Sequence, residues 1–318
     1  KGCRLKDNMC ELEADTIRTM LLTEEEHGFH EGSSMRRRGD LYYLIYCDTD
    51  RGAATCLSYA VGRSPLGPFE KRGVIIDNAG CDLATWNNHG SIVCFHDQWY
   101  ILYHKACFAL EMGGRKACME PIYFDERGDI REVQMTTQGV EGPIAASRRL
   151  EAYRACHFQW PERVYEMDRE VACFYWKEPV TGWRRTARNA ALRNSKDTGV
   201  RAAHYIENGI HREYLTRLTH GDCIFYRYLD FGDGAAEFIC SAASHRTGCE
   251  LEIHIDGADG PCIGRCEIGD TGGFGPWNWK TFRCEVRPVT GVHEVCLKVC
   301  SHRWDREWLC DLDWLQFA

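Results

Sequence analysis

Short apolar and aromatic runs, each closed by a turn signal, with no stretch of helical periodicity between them, are what most constrains this chain. Such a pattern builds antiparallel sheets rather than bundles. The clearest run is 41–46, where Leu41, Tyr43 and Ile45 alternate with Tyr42, Leu44 and Tyr46. Both faces of that strand are apolar, so it belongs in the middle of a sheet. Gly39-Asp40 makes the turn that feeds it. Further runs follow at 56–63 and 73–76, with Ser64-Pro65-Leu66-Gly67-Pro68-Phe69 as the turn between them. Strands at 91–95 and 99–104 flank a tight turn at His96-Asp97-Gln98, and strands at 117–124 and 130–135 flank a second turn at 125–129. Before them, 4–9 and 17–22 read as short strands and Glu24-Glu25-Glu26 as an exposed loop.

Residues 141–200 are irregular and read as a connecting segment that packs on both halves. Strands then resume, most clearly at 223–231, 236–243, 249–255, 262–268, 281–286, 292–299 and 314–317. The expectation is therefore an all-β chain with a first unit over 1–140, a connection over 141–200 and a second unit of sandwich size over 201–318.

A net charge of −8 argues against a nucleic-acid partner, because phosphate binding needs a basic surface. The run Arg36-Arg37-Arg38 is short and reads as a solvated turn. Ten Trp and fourteen Tyr exceed what a core requires and hint at sugar-ring stacking, although a β-rich core uses most of them. The nineteen cysteines are irregularly spaced, and many sit inside apolar runs, as Cys47, Cys94, Cys240, Cys296 and Cys300 do. They read as small buried hydrophobes in a chain that lives reduced, cytoplasmic or secreted by an anaerobic bacterium. No stretch has the length and apolarity of a membrane span, so no membrane partner is expected, and no signal peptide is visible. The first residue is Lys1, which suggests a removed leader or a truncation.

Glu31 stands between a short polar turn and the aromatic strand. A carboxyl group pinned at a strand end suits acid–base work, where position and pKa must both be controlled. Taken alone, that stretch favours an ordinary exposed glutamate.

Four stretches in order change the balance. They are His30-Glu31-Gly32-Ser33-Ser34 with Gly39-Asp40-Leu41-Tyr42-Tyr43-Leu44-Ile45-Tyr46; Tyr59-Ala60 with Ser64-Pro65-Leu66-Gly67-Pro68-Phe69; Asn87-Asn88-His89-Gly90-Ser91-Ile92-Val93 running into Gln98-Trp99-Tyr100-Ile101-Leu102-Tyr103-His104; and Arg115-Lys116-Ala117-Cys118-Met119-Glu120-Pro121-Ile122-Tyr123-Phe124-Asp125. Together they resemble glycoside hydrolase family 43. The resemblance implies a five-bladed β-propeller with the site on its axis, which cleaves arabinose- or xylose-containing plant cell-wall glycans with inversion. By motif, Glu31 would be the general acid. His89 would lie at the axis near a water-coordinated cation, commonly Ca2+. Arg115 would contact the sugar or orient a carboxylate, and Trp86, just ahead of His89, could stack on a sugar.

The family's general base and pKa-tuning aspartate precede its acid by many residues, whereas thirty residues precede Glu31 here. Asp7 and Asp15 stand in that stretch outside any matching motif. The first half thus looks like the last three blades or so of the propeller, and the expectation is an N-terminally truncated chain with little hydrolysis of its own.

The second half resembles carbohydrate-binding module family 6, on Gly221-Asp222, Tyr226, Leu229-Asp230-Phe231-Gly232, Thr271-Gly272-Gly273, Trp279 with Thr281, and Asp311-Leu312-Asp313-Trp314. That family is a β-sandwich of jelly-roll type whose loops clamp a sugar between aromatics. Asp311 stands where an asparagine is expected, and Arg217 and Cys223 stand where aromatics are common. Trp277, Trp279 and Asp311 are the sugar-binding candidates. The resulting expectation is a partial propeller followed by a sandwich, acting as a glycoside hydrolase of α-L-arabinofuranosidase or β-xylosidase type, with a non-catalytic carbohydrate-binding protein as the alternative.

Overall fold

The computed structural model describes residues 1–51, 54–81, 88–106, 115–159, 200–303 and 307–318. The first half holds two antiparallel sheets. One runs β1 (Phe29–Arg38), β2 (Leu41–Asp48), β3 (Cys56–Gly62) and β4 (Glu70–Asp77) in sequence order. The other runs β5 (Ser91–Phe95), β6 (Gln98–Ala106) and β7 (Arg115–Ile122). Among the described residues these are two blade-like sheets, as a partial propeller requires.

Strand β2 is central, as its alternation requires. Tyr43 and Ile45 enter one core with Leu57, Tyr59, Ile75, Ile92 and Ile101, so that core spans both sheets. Leu44 and Tyr46 enter a second cluster on the opposite face with Ala60 and Phe69.

Several local readings need correction. The stretches 4–9 and 17–22 form no strands and carry only the isolated bridges Leu5–Leu12 and Gly2–Arg18. Arg36, Arg37 and Arg38 are the exposed end of β1 rather than a turn, each paired across to Tyr43, Tyr42 and Leu41. They keep a solvated edge face, and Arg38 lies 4.2 Å over the Phe124 ring. Glu24–His27 is one helical turn, α1, capped where Thr23 Oγ1 accepts from the Glu26 N–H at 3.1 Å. The turn at 125–129 forms, but beyond the Phe124–Ile130 bridge no strand follows. Instead the Ile130 N–H donates to the Tyr59 hydroxyl and the Val133 N–H to the Ile75 carbonyl, so sheet one takes these backbone groups.

The second half is a two-sheet sandwich. Its other strands are β8 (Ile144–Ala145), β9 (Leu150–Glu151), β10 (His157–Gln159), β11 (Arg201–Glu207), β12 (Ile210–Leu218), β13 (Cys223–Asp230), β14 (Ala235–Ala243), β15 (Cys249–Ile255), β16 (Cys262–Ile268), β17 (Lys280–Val289), β18 (Val292–Cys300) and β19 (Cys310–Phe317). One face orders β10-β13-β18-β15-β16 and the other β17-β14-β19-β12-β11, joined through a single pairing of Gly264 with Val286. Between them lies one core, built on Leu215, Tyr226, Phe238, Leu251, Leu297, Leu312 and Phe317 among others.

The stretch 144–159 is woven into both halves. Its short strands pair with β13 and β19, while Cys156 enters the core of the first half and the Phe158 N–H donates to the Gly80 carbonyl at 2.7 Å. The cysteines described are free thiols. Among the described residues no helix is long and apolar enough to cross a membrane.

Candidate active site

Glu31 is the third residue of β1, and the register of β1 on β2 shifts on both sides of it. Phe29 pairs with Asp48, Glu31 with Cys47, and Ser34 only then with Ile45. Such bulges re-aim a side chain out of the regular pleat. The start of β1 is pinned from below. The Thr49 N–H donates to the Gly28 carbonyl and the Tyr46 hydroxyl to the His27 carbonyl, at 3.2 and 2.8 Å. Asp48, fully buried, accepts from Lys71 at 2.5 Å, and the same ammonium also meets Asp50. A buried carboxylate needs such a partner.

The bulge turns Glu31 toward the second sheet. His89 Nε2 lies 3.4 Å from Glu31 Oε1, with both side chains about 40% exposed (40% and 41%), so the pair can be reached from solvent. His89 is set by its backbone. Its N–H donates to His104 Nδ1 at 3.2 Å, which leaves a neutral His104 with its proton on Nε2. Next to it, buried Asn88 donates to the Thr55 carbonyl at 2.9 Å, Asn78 donates to the His104 carbonyl at 2.7 Å, and the Ser34 hydroxyl donates to the Gly90 carbonyl at 3.2 Å. These bonds cross between the two sheets and fix the Glu31–His89 approach.

Gly32 makes that approach possible. Its φ is 61°, and a Cβ there would lie 2.5 Å from His89 Cδ2. Gly32→Ala is expected to cost about 1–2 kcal/mol in backbone strain alone and to push the imidazole off Glu31. A thermal melt beside Ser33→Ala, whose side chain is exposed, checks it: equal melting temperatures would remove the packing argument.

The other candidates distribute unevenly. Arg115 opens β7, exposed and without an ion pair among the described residues; it lies two residues from Ala117, the partner of His104. Trp86 lies outside the described residues. Asp7 and Asp15 are exposed in the N-terminal segment.

Sequence reasoning missed Glu120. It is 3% exposed on β7, accepts from the Thr136 N–H and hydroxyl and from the Tyr103 hydroxyl, and burial pushes its carboxyl up to about 6. An acid inside an apolar strand was its only signal. His104 was also passed over, although alternation with buried Tyr103 turns it to the opposite face.

In the sandwich, Trp277 is 84% exposed on the short turn Pro276–Asn278. Trp279 instead packs edge-on against Tyr214, with ring centroids 5.3 Å apart, and near Tyr205. Asp311 has no exposed surface. Its Oδ1 accepts from the Thr216 hydroxyl at 2.7 Å, Trp308 Nε1 at 2.8 Å and the Arg217 N–H at 3.3 Å, and its Oδ2 from the Gly275 N–H at 2.7 Å. That leaves no oxygen facing a sugar.

Comparison with known proteins places both halves. Residues 1–130 match the family model of the glycosyl hydrolases family 43, and residues 191–318 that of the carbohydrate binding module (family 6). The first part of the chain is thus similar to family 43 and the last part to family 6 modules. The curated relatives include a xylosidase/arabinosidase of Thermoclostridium stercorarium, 35% identical over 154 residues, which cover 44% of this chain and 32% of the relative. An arabinoxylan arabinofuranohydrolase of Bacillus subtilis (strain 168) is 26% identical over 277 residues, covering 83% of this chain and 47% of the relative. A solved family 43 arabinoxylan arabinofuranohydrolase from Bacillus subtilis, in complex with cellotetraose, aligns with a TM-score of 0.47 at 22% identity, over 92% of this chain and 54% of that one. The chain spans half or less of the length of these curated relatives.

Proposed function

We propose that the whole protein to which this chain belongs hydrolyses arabinose- or xylose-bearing side chains of plant cell-wall glycans, as an α-L-arabinofuranosidase or β-xylosidase acting with inversion. The observation that carries the reading is the Glu31 carboxyl, aimed by two bulges at an open junction of two sheets beside His89, in a segment matching family 43. An inverting glycosidase needs one protonated carboxyl against the leaving oxygen and a second, ionised one about 6.5–9.5 Å away to activate water. Glu31 takes the first role, and the relatives' names favour the substrate class.

A cation fits this site only through water. Among the described residues no group of three or more His, Cys, Asp or Glu side chains could hold a metal. His89 Nε2 is shielded, so a hydrated Ca2+ would have to be met through the exposed Glu31 carboxylate. Such an ion would supply positive charge at the axis; positioning of the acid remains with His89, His104 and Gly32.

The test is hydrolysis of aryl arabinofuranoside, aryl xyloside and arabinoxylan oligosaccharides by the intact protein, with the product anomer followed by NMR. Turnover with an inverted anomer supports the reading. No turnover, together with measurable glycan binding, favours a non-catalytic carbohydrate-binding protein.

A further inference from the structure

Arg217 occupies an unusual place at the loop end of the sandwich. The pairing of β12 with β19 skips between Leu215 and Leu218, and Arg217 lies in that bulge with φ 59°. A long side chain does not choose the left-handed region by itself; its surroundings hold it there. Here the holder is Asp311. Its buried carboxylate takes the Arg217 N–H, and through Thr216, Gly275 and Trp308 it ties together the three segments around the bulge.

Arg217 makes no ion pair among the described residues, and its Cζ lies 5.9 Å from the ring centre of Trp308. Trp308 in turn stacks on Phe274, with centroids 4.0 Å apart and planes 14° from parallel. Three residues beyond Phe274 stands Trp277, 84% exposed. The loop end therefore carries exposed Trp277 and the partly exposed Phe274–Trp308 pair, with a half-buried fork of N–H donors beside Trp308. Aromatic faces stack on sugar rings, but a neutral sugar gives a guanidinium no charge to meet. A carboxylate does, bidentately.

We infer that this end of the module binds a glycan carrying a carboxylate, namely a xylan chain substituted with a uronic acid. Arg217 grips the carboxylate and the aromatics Trp277, Phe274 and Trp308 carry the rings. The inference rests on the reading of the second half as a glycan-binding module and adds the charge of its ligand.

The experiment uses the whole chain and isothermal titration with two probes of equal backbone length. One is a neutral linear xylo-oligosaccharide, and the other carries one glucuronic acid. The acidic probe is expected to bind about tenfold to a hundredfold tighter, the range of a charge-assisted hydrogen-bonded pair. The preference should shrink with added salt and vanish in Arg217→Gln, which keeps a side chain of similar length on the same backbone. Arg217→Lys, which keeps charge but loses the fork, should fall between. Trp277→Ala, at an exposed position, should weaken both probes together and leave their ratio unchanged. Equal affinities in the wild type, or a preference surviving Arg217→Gln, overturn the inference while leaving glycan binding intact. Binding of neither probe overturns both the inference and the reading beneath it.

Discussion

Replacing Glu31 by Gln in the complete parent of this chain is expected to lower kcat/KM on natural arabinoxylan by about 10²–10⁴-fold, the usual contribution of a positioned general acid. The loss should be far smaller on an aryl glycoside whose leaving group needs little protonation. The contrast follows from the role. The amide keeps the size of the side chain and its place between the two bulges, so sugar positioning survives, but it has no proton to give the leaving oxygen. KM on either substrate should change little, since uniform binding is not what is removed. A merely structural Glu31 predicts something else: equal losses on both substrates, accompanied by a lower melting temperature. Measuring the two substrates side by side, with a thermal melt of the variant, separates these outcomes.

Asp311→Ala is expected to be the most damaging single change in the sandwich. The carboxylate gathers four donors with no solvent contact. Each buried donor left unsatisfied costs about 1–3 kcal/mol, and even partial relaxation leaves a loss of about 3–5 kcal/mol. Asp311→Asn should be milder. Its oxygen can stay where three donors converge on Oδ1, so only the Gly275 N–H is orphaned. The titration of the buried carboxyls gives a second readout. Burial pushes Asp311 up to about 6, and Glu120 likewise, while both titrate near 4 in an unfolded chain. A raised folded pKa means that the native state prefers the protonated form. The stability these groups confer is therefore full below about pH 4 and is lost as pH rises through about 6, by on the order of 2–3 kcal/mol each. Denaturant midpoints at pH 4 and pH 7 check this. Asp311→Asn and Glu120→Gln should each flatten the fall, and an unchanged slope in both would remove the assignment.

How much of this was legible in the sequence depends on how local the cause is. Strand β2 and the turn at His96-Asp97 were legible because alternation and turn chemistry act within a few residues. Strand β1 was half legible: its charged end, Arg36 to Arg38, looks like solvent, and only the partner strand gives it a register. The β11–β12 hairpin was overlooked, although Asn208-Gly209, with both φ positive, is the usual tight hairpin turn. Its exposed, charge-rich faces hid the runs on either side. Glu31 and His89 were found through motifs, but their contact was not, because it depends on two bulges and on His104 in another strand. The saturation of Asp311 was illegible for the same reason. Its hydroxyl donor Thr216 is remote in sequence and reaches it only through the folded sheet.

The stretch 144–159 has a mechanical consequence. Its strands are hydrogen-bonded into the sandwich, and its far end enters the core of the first half. Lys105 donates to the Ala155 carbonyl at 2.9 Å, and Lys116 pairs with Glu213 of β12 while lying 4.1 Å over the Tyr153 ring. This is a bracket and not a leash. A flexible linker lets a captured polymer sample a cloud of positions, and the effective concentration falls as the tether lengthens. A bracket holds the captured polymer at one distance and one orientation instead. A chain gripped near Arg217 would then present Glu31 with a fixed stretch of its backbone, so decoration spacing along the polymer, rather than its overall abundance, would decide which side chains are reached.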